Sequence, residues 1–123
     1  MSLRNKKISD IKELIEKLIE FRKARDWEQF HNPKNLAISI SLEAAELLEN
    51  FQWKDLEESI KFAKDNKEKI SEEVADLLIY IFYLCNDLGI DFIDAIDKKI
   101  EENNKKYPVD KSKGKSNKYN ELK

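Results

Sequence analysis

Apolar side chains recur every three or four residues along much of the chain, which is the spacing of one face of an α-helix. The pattern predicts a first helix over about residues 8–25, N-capped by Ser9. Asn32 and Pro33 form a favourable cap and first-turn pair. We therefore expect a second helix to begin there and to run to about Phe51.

Two further long helices are predicted in the C-terminal half. One covers about residues 66–88 and ends at Gly89, because glycine readily adopts the left-handed conformation that closes a helix. The other is capped by Asp91 and covers about residues 92–106. It ends before Pro108, because a proline disfavours helix at the preceding residue.

Two segments lie outside the four long predicted helices. The charged stretch 53–67 contains a turn or a short helix. The Lys-rich stretch 111–123 is predicted to be a tail that is either disordered or closes over an anionic substrate. No stretch alternates with the period of a strand. The expectation is an all-α fold with one domain over residues 1–110, followed by the tail 111–123.

The predicted helix 66–88 is apolar around nearly its whole circumference, and a helix of this kind must be covered on all sides. Its apolar residues are Val74, Leu77, Leu78, Ile79, Ile81, Phe82, Leu84 and Cys85. Four helices from 123 residues hardly suffice to cover it. The prediction is therefore a four-helix bundle assembled as a homo-oligomer through its second and third helices.

Composition excludes several classes of protein. The formal net charge is −2, which gives no general attraction to nucleic acid or to an anionic membrane. Cys85 is the sole cysteine, so no internal disulfide forms, and its apolar neighbours indicate a buried thiol in a reducing compartment. There is no apolar signal region, and no apolar run approaches the ~18 residues of a membrane span. We expect a cytoplasmic protein.

Two pairs of carboxylates interrupt the two most apolar segments. Glu43 and Glu46 are three residues apart and so share a helix face, and Glu73 and Asp76 repeat that spacing. If the two helices are neighbours, four carboxylates converge, and desolvation and repulsion oppose their joint ionisation. A divalent cation removes this objection. Hard oxygen ligands suit Mg²⁺ or Mn²⁺.

Two alternatives bear on these carboxylates. Such spacings are common on solvated helix faces, so the four residues can also be ordinary surface charges. Their apolar neighbours favour a site instead. A di-iron bundle needs Glu-x-x-His on two helices, and the sole histidine, His31, lies in a predicted loop. His31 is expected to satisfy backbone groups near the start of the second helix.

Four strings of sequence carry a resemblance to a known family. They are RDWEQFHNPKNLA, EAAELLENFQW, EEVADLLIYIFYL and KYPVDKSKGKSNKY. In order and spacing, together with the two carboxylate pairs, they resemble the MazG-like superfamily of all-α nucleoside triphosphate pyrophosphohydrolases. Within it, the dCTP pyrophosphatase branch is the most similar. The resemblance covers about residues 8–120, nearly the whole chain.

The resemblance implies Mg²⁺-dependent cleavage of a nucleoside triphosphate to a monophosphate and pyrophosphate. Glu43, Glu46, Glu73 and Asp76 would be catalytic residues and metal ligands, with one glutamate orienting or deprotonating the attacking water. It also implies dimers that pair into tetramers, with sites built by more than one chain. Leu18 stands where that branch can carry a histidine, so the chain departs from the branch at a position tied to base preference.

The resemblance also implies a set of substrate-binding residues. Two aromatic residues would line the base pocket, Trp27 and Trp53, and Tyr80 would lie beside the phosphates or the sugar. Phosphate would be held by Lys99 and Asn103, with Lys113 and Lys118 closing over it. No Gly-rich phosphate loop is present in the sequence, so metal and side chains must bind the triphosphate.

Three functions remain open at this point. The first is a nucleotide-pool pyrophosphohydrolase that prefers dCTP-like pyrimidine deoxynucleotides. The second is a related enzyme acting on dUTP or on a broader set of noncanonical triphosphates. The third is a helical oligomerisation or partner-binding module without catalysis, in which the carboxylates bind metal structurally or not at all.

Overall fold

The computed structural model describes residues 10–122, and all regular structure in this range is helical. It contains six α-helices: α1 (Ile11–Ala24), α2 (Pro33–Glu49), α3 (Leu56–Asp65), α4 (Lys67–Leu88), α5 (Phe92–Lys106) and α6 (Val109–Ser112). Two short 3₁₀ turns cover Trp27–Phe30 and Tyr119–Glu121. The all-α prediction is confirmed. The predicted count of four helices is wrong, because six lie within the described residues.

The two additional helices have local causes. Asp55 caps α3, since its side chain accepts a hydrogen bond from the backbone N–H of Glu58 at 2.9 Å. The sequence left either a turn or a short helix open for the charged stretch 53–67, and the structure has the short helix. The single turn of α6 follows Pro108, whose fixed φ of −58° suits entry into a helix.

The other helix starts follow the same chemistry. Asn32 and Asp91 cap α2 and α5 as predicted, each accepting a backbone N–H three residues later. The cap of α1 is Asp10, whose carboxylate accepts from Glu13 N at 2.8 Å. The predicted cap at Ser9 is therefore wrong, because helical geometry starts one residue later; Ser9 itself lies outside the described residues.

The chain forms two compact units, one extending to Leu88 and the other beginning at Gly89. In the first unit α4 packs against α1, α2 and α3, most extensively against α2. Its buried apolar side chains are Leu36, Tyr83 and Cys85. The thiol of Cys85 is covered as predicted, and burial raises its pKa.

The second unit contains α5, α6 and the last 3₁₀ turn. The rings of Tyr107 and Tyr119 meet edge to face at 6.3 Å, and Lys106 Nζ lies 4.9 Å from the centre of the Tyr119 ring. Regular turns are thus present within the Lys-rich tail. Neither the domain boundary at residue 110 nor closure of the tail over a substrate is tested by these contacts. Both stay predictions.

Large apolar side chains remain exposed on the first unit. Leu42 and Leu48 on α2, and Leu56 and Ile60 on α3, are each more than half exposed, and Trp53 between the helices is 88% exposed. Exposed apolar side chains on neighbouring helices are typical of a surface that contacts another protein. No helix among residues 10–122 is long and apolar enough to cross a membrane.

Gly89 ends α4 with a φ of +67°, as the sequence predicted, and a Cβ added there meets no atom within 4 Å. Gly89→Ala should lower the free energy of unfolding by about 1–2 kcal/mol, because only the left-handed backbone opposes the side chain. Gly89→Asn is the matched control and should lose less, since asparagine tolerates this conformation. Equal losses in chemical denaturation would contradict the explanation.

Candidate metal and nucleotide site

The packing of α2 against α4 brings four carboxylates together. Burial raises the pKa of the Glu43 carboxyl, and so do a hydrogen bond to Glu46 and the negative charges of Asp76 and Glu73. The two pairs predicted from their spacing are therefore neighbours in space. Their roles as metal ligands and catalytic residues stay predictions.

One oxygen of this cluster has no partner. Glu43 Oε2 is buried and makes no hydrogen bond to the described residues. A buried carboxylate oxygen beside three like charges is unfavourable unless a cation neutralises it. Within residues 10–122, no group of three or more His, Cys, Asp or Glu side chains is already arranged around a metal position. The oxygen donors of the cluster are of the chemical type that divalent cations prefer.

Asn50 supports the cluster and was missed by the sequence reasoning. It caps the C-terminus of α2 and is buried, and its Nδ2 donates to Glu73 Oε2 and to the backbone oxygen of Glu46. The backbone oxygen of Asn50 accepts a 2.7 Å hydrogen bond from Lys54 Nζ. Asn50 thus fixes one α4 carboxylate relative to α2. The only signal in the sequence was an amide four residues beyond Glu46.

A cavity of about 430 Å³ lies in the first unit, between α1, the first 3₁₀ turn and α4. Its apolar and aromatic lining includes Leu14, Leu18, Phe21, Trp27, Ile79 and Tyr80. Asp76 belongs both to this lining and to the carboxylate cluster. The cavity therefore adjoins the carboxylates, and its volume falls in the range of small-molecule sites.

Trp27 and Trp53 occupy different surroundings. Trp27 lines the cavity and packs edge to face against Phe21 at 5.7 Å. It follows Asp26, whose φ of 52° turns the chain out of α1 and whose carboxylate accepts from Gln29. Trp53 is almost fully exposed and does not line this cavity. Within one chain, the structure does not bring the two tryptophans to a common pocket.

The four residues predicted to hold phosphate all belong to the second unit. Lys99 Nζ lies 3.4 Å from Glu102 Oε2, and the carbonyl oxygen of Asn103 accepts from Tyr107 N at 2.8 Å. Lys113 caps the C-terminus of α6, and Lys118 precedes the last 3₁₀ turn. None of these contacts tests phosphate binding, so that assignment stays a prediction.

A buried ion pair joins α1 to α4. Arg22, 5% exposed, donates from Nη1 and Nη2 to the two carboxylate oxygens of Asp87 at 2.9 and 2.6 Å. These hydrogen bonds lower the pKa of Asp87 and raise that of Arg22. The Arg22 guanidinium also lies 4.5 Å from the ring centre of Tyr83, whose hydroxyl donates to Leu18 O at 2.8 Å.

His31 belongs to this buried group. Its Nδ1 lies 3.3 Å from Arg22 Nη1, and its ring packs against Tyr83 and Tyr80 at centroid distances of 5.3 and 6.3 Å. Burial lowers the pKa of the imidazole, and the adjacent Arg22 charge lowers it further. The expectation that the ring serves backbone groups near α2 is wrong, because it meets side chains of α1 and α4 instead.

The family model described as MazG-like matches residues 38–122, more than half of the 123 residues. The chain belongs to the MazG-like family. The matched region contains all four carboxylates of the cluster and the second unit up to residue 122. The family resemblance stated from the sequence is therefore confirmed.

Relatives and a solved structure agree with this membership. The chain is 41% identical over 105 residues to "dCTP pyrophosphatase 1" of Bos taurus and 38% identical to that of Homo sapiens, in each case over 84% of this chain. It spans 62% of the length of these relatives. A pyrophosphatase from Archaeoglobus fulgidus is 45% identical, with a TM-score of 0.77, over 83% of this chain and 99% of that one.

Asp87→Asn should lower the free energy of unfolding by about 2–3 kcal/mol at pH 7, because it leaves the Arg22 charge buried without its carboxylate. The folded-state pKa of Asp87 is lowered, so its contribution is present above its ordinary pKa and is lost as pH falls through the folded value. The loss caused by Asp87→Asn should therefore shrink in strong acid. Denaturant unfolding at several pH values measures it.

The matched control for this prediction is Asp97→Asn, an exposed aspartate on α5. It should change the free energy of unfolding by less than about 0.5 kcal/mol. A similar loss for both variants, or a pH-independent loss for Asp87→Asn, would show that the ion pair does not stabilise the packing of α1 on α4.

Proposed function

We propose that this chain is a divalent-metal-dependent nucleoside triphosphate pyrophosphohydrolase, with Mg²⁺ as its metal and dCTP-like pyrimidine deoxynucleotides as its preferred substrates. The observation that carries the proposal is a cluster of four carboxylates that shares Asp76 with an aromatic-lined cavity. The carboxylates would hold the metal that binds the triphosphate, and the cavity would enclose the base. The names of the relatives support the same reaction.

In this proposal Glu43, Glu46, Glu73 and Asp76 hold the metal. A divalent cation held by these residues would neutralise charge on the triphosphate and polarise its α-phosphoryl group. One glutamate orients the attacking water and accepts its proton. The oxygen of that water forms a bond to the α-phosphorus as the bond to the α–β bridging oxygen breaks. The monophosphate and pyrophosphate leave.

Base binding is assigned to the cavity of the first unit. Trp27 and Tyr80 line it, and aromatic rings stack against bases of any sequence. Leu18 contributes an apolar wall where the dCTP pyrophosphatase branch can carry a histidine, so this chain must recognise the polar edge of the base by another group. Phosphate binding by Lys99, Asn103, Lys113 and Lys118 is proposed from the family resemblance and from the charge and hydrogen-bonding chemistry of these side chains.

We also propose that the protein is a homodimer or a dimer of dimers in the cytoplasm, and that it binds neither nucleic acid polymers nor membranes. The predicted interface uses the second and third predicted helices, which are α2 and α4 of the structure, and exposed apolar residues such as Leu42 on α2 and Leu78 on α4 support it. The exposure of Trp53 is explained if the ring contributes to a base site on a neighbouring copy. The unpaired, buried thiol of Cys85 suits a reducing compartment.

A panel of triphosphates with Mg²⁺ tests the proposal. Incubation with dCTP, dUTP, dTTP, dATP, dGTP and UTP should release pyrophosphate fastest from dCTP. Glu43→Gln and Asp76→Asn should each lower kcat by at least about 10³-fold while circular dichroism shows a retained helical fold, because each removes a metal ligand.

Matched controls lie on the same helices. Glu49→Gln on α2 and Glu72→Gln on α4 replace exposed glutamates outside the cluster and should keep kcat within about twofold. Turnover fastest with dUTP, or equal across many nucleotides, would replace the proposed preference with a dUTP or broad-range activity. No release of pyrophosphate from any nucleotide would leave the non-catalytic binding module as the function.

A further inference from the structure

The ring of His31 has only one hydrogen-bonding arrangement open to it as a neutral group. Its Nδ1 lies 3.3 Å from Arg22 Nη1. A guanidinium has donors and no acceptor, so Nδ1 must receive this hydrogen bond through its lone pair. A neutral imidazole carries one proton. That proton therefore resides on Nε2.

Contacts from α1 and α4 hold Arg22 in the position that imposes this tautomer. Asp87 binds both terminal nitrogens of the guanidinium, and the ring of Tyr83 lies against its face. The hydroxyl of Tyr83 is in turn engaged by the backbone oxygen of Leu18. The guanidinium has little freedom to rotate away from His31, and its charge opposes protonation of Nδ1.

His31 also lines the cavity beside the carboxylates. Among the contacts of residues 10–122, its Nε2 has no hydrogen-bond partner, whereas Nδ1 is taken by Arg22. The lining of the cavity is mainly apolar and aromatic, so few groups there can form a hydrogen bond with the polar edge of a nucleobase. The ring is thus a neutral N–H donor on the wall of a cavity whose charged lining residues are Lys17 and Asp76.

We propose that His31 donates from Nε2 to an acceptor atom of the bound nucleobase, of the kind that cytosine presents at O2 and N3, and that Arg22 and Asp87 are positioning residues which fix its tautomer. This assignment rests on the proposed nucleotide substrate. It supplies a polar contact to the base, which Leu18 cannot provide where the related branch can carry a histidine. It also disfavours a base that presents an N–H group at the same place.

The same geometry argues against a role for His31 in proton transfer. With Nδ1 receiving from a guanidinium, the ring has no second site at which to accept a proton. Arg22 and burial both favour the neutral ring, since together they lower its pKa. His31 therefore orients the base and does not act as a general acid or base. Its loss should raise KM and leave kcat nearly unchanged.

The tautomer can be observed directly because His31 is the sole histidine of the chain. Long-range ¹H–¹⁵N correlation spectra of the full chain at pH 7.5 contain one imidazole. We expect a protonated Nε2 and an unprotonated Nδ1. Addition of dCMP with Mg²⁺ should shift the Nε2–H resonance more than addition of 2-deoxyribose 5-phosphate, which lacks a base. A protonated Nδ1, or no difference between the two ligands, would overturn the proposal.

Arg22→Lys tests the positioning role, because a lysine cannot engage Asp87 with two nitrogens and also reach His31 in the same fork geometry. The ring should then become a mixture of the two neutral tautomers. If this variant does not fold, Asp87→Glu gives the same reading by displacing the guanidinium. An unchanged tautomer in the folded variant would show that Arg22 and Asp87 do not position the ring.

Two substitutions at His31 separate its donor from its bulk. Glutamine places an amide N–H near the position of Nε2, whereas leucine fills space without a donor. His31→Leu should raise KM for dCTP about three- to tenfold with kcat within twofold, and His31→Gln should recover most of the loss. Inhibition by inorganic tripolyphosphate should be unchanged, because this ligand has no base.

These measurements distinguish failure of the inference from failure of the proposed function. Turnover of dCTP with equal KM for wild type and His31→Leu would overturn the role of His31 and leave the enzyme assignment intact. Absence of turnover with every nucleotide, combined with an Nε2–H signal that responds to dCMP, would overturn the enzyme assignment and support the role of His31 in base binding.

Discussion

Repulsion among like charges at the contact of α2 with α4 is the constraint on which the rest of the first unit depends. These helices have the most apolar sequences of the chain, so burial of their side chains drives them together. Their contact forces Glu43, Glu46, Glu73 and Asp76 into one neighbourhood, where burial and the nearby carboxylates raise the pKa of Glu43 and one of its oxygens has no hydrogen-bond partner among the described residues. The free energy gained by burying the apolar side chains of α2 and α4 outweighs the repulsion among these carboxylates. A bound cation would remove that repulsion.

At the C-terminal end of α4 the carboxylate is paired with a positive charge. Asp87 is neutralised within the chain by Arg22 of α1, with two hydrogen bonds and an aromatic neighbour. Asp76, Tyr80, Tyr83 and Asp87 follow one another at spacings of four, three and four residues, so they lie along one face of α4. This face passes from the exposed carboxylate of Asp76, which neighbours the other carboxylates of the cluster, along the wall of the cavity to the carboxylate of Asp87, which is paired with Arg22.

Local features were predictable from the sequence and long-range partners were not. The caps at Asn32 and Asp91, the stop at Gly89 and the two carboxylate pairs depend on residues within four positions of one another. Arg22 and Asp87 are 65 residues apart, and nothing in their local sequences pairs them. Their contact exists only because α1 packs on α4. The spacing of Asp76, Tyr80, Tyr83 and Asp87 puts these residues on one helix face. From this spacing alone, Tyr83 and Asp87 were predictable as neighbours of the site.

The most direct test of the carboxylate cluster is the stability of wild type and Glu43→Gln as Mg²⁺ is titrated at constant ionic strength. Without divalent cation, Glu43→Gln should be the more stable protein by about 1 kcal/mol, because it removes one charge from the cluster. Saturating Mg²⁺ should stabilise wild type more than the variant, so that their order reverses. A wild type that does not respond to Mg²⁺, together with a variant less stable under all conditions, would contradict a cation-binding cluster.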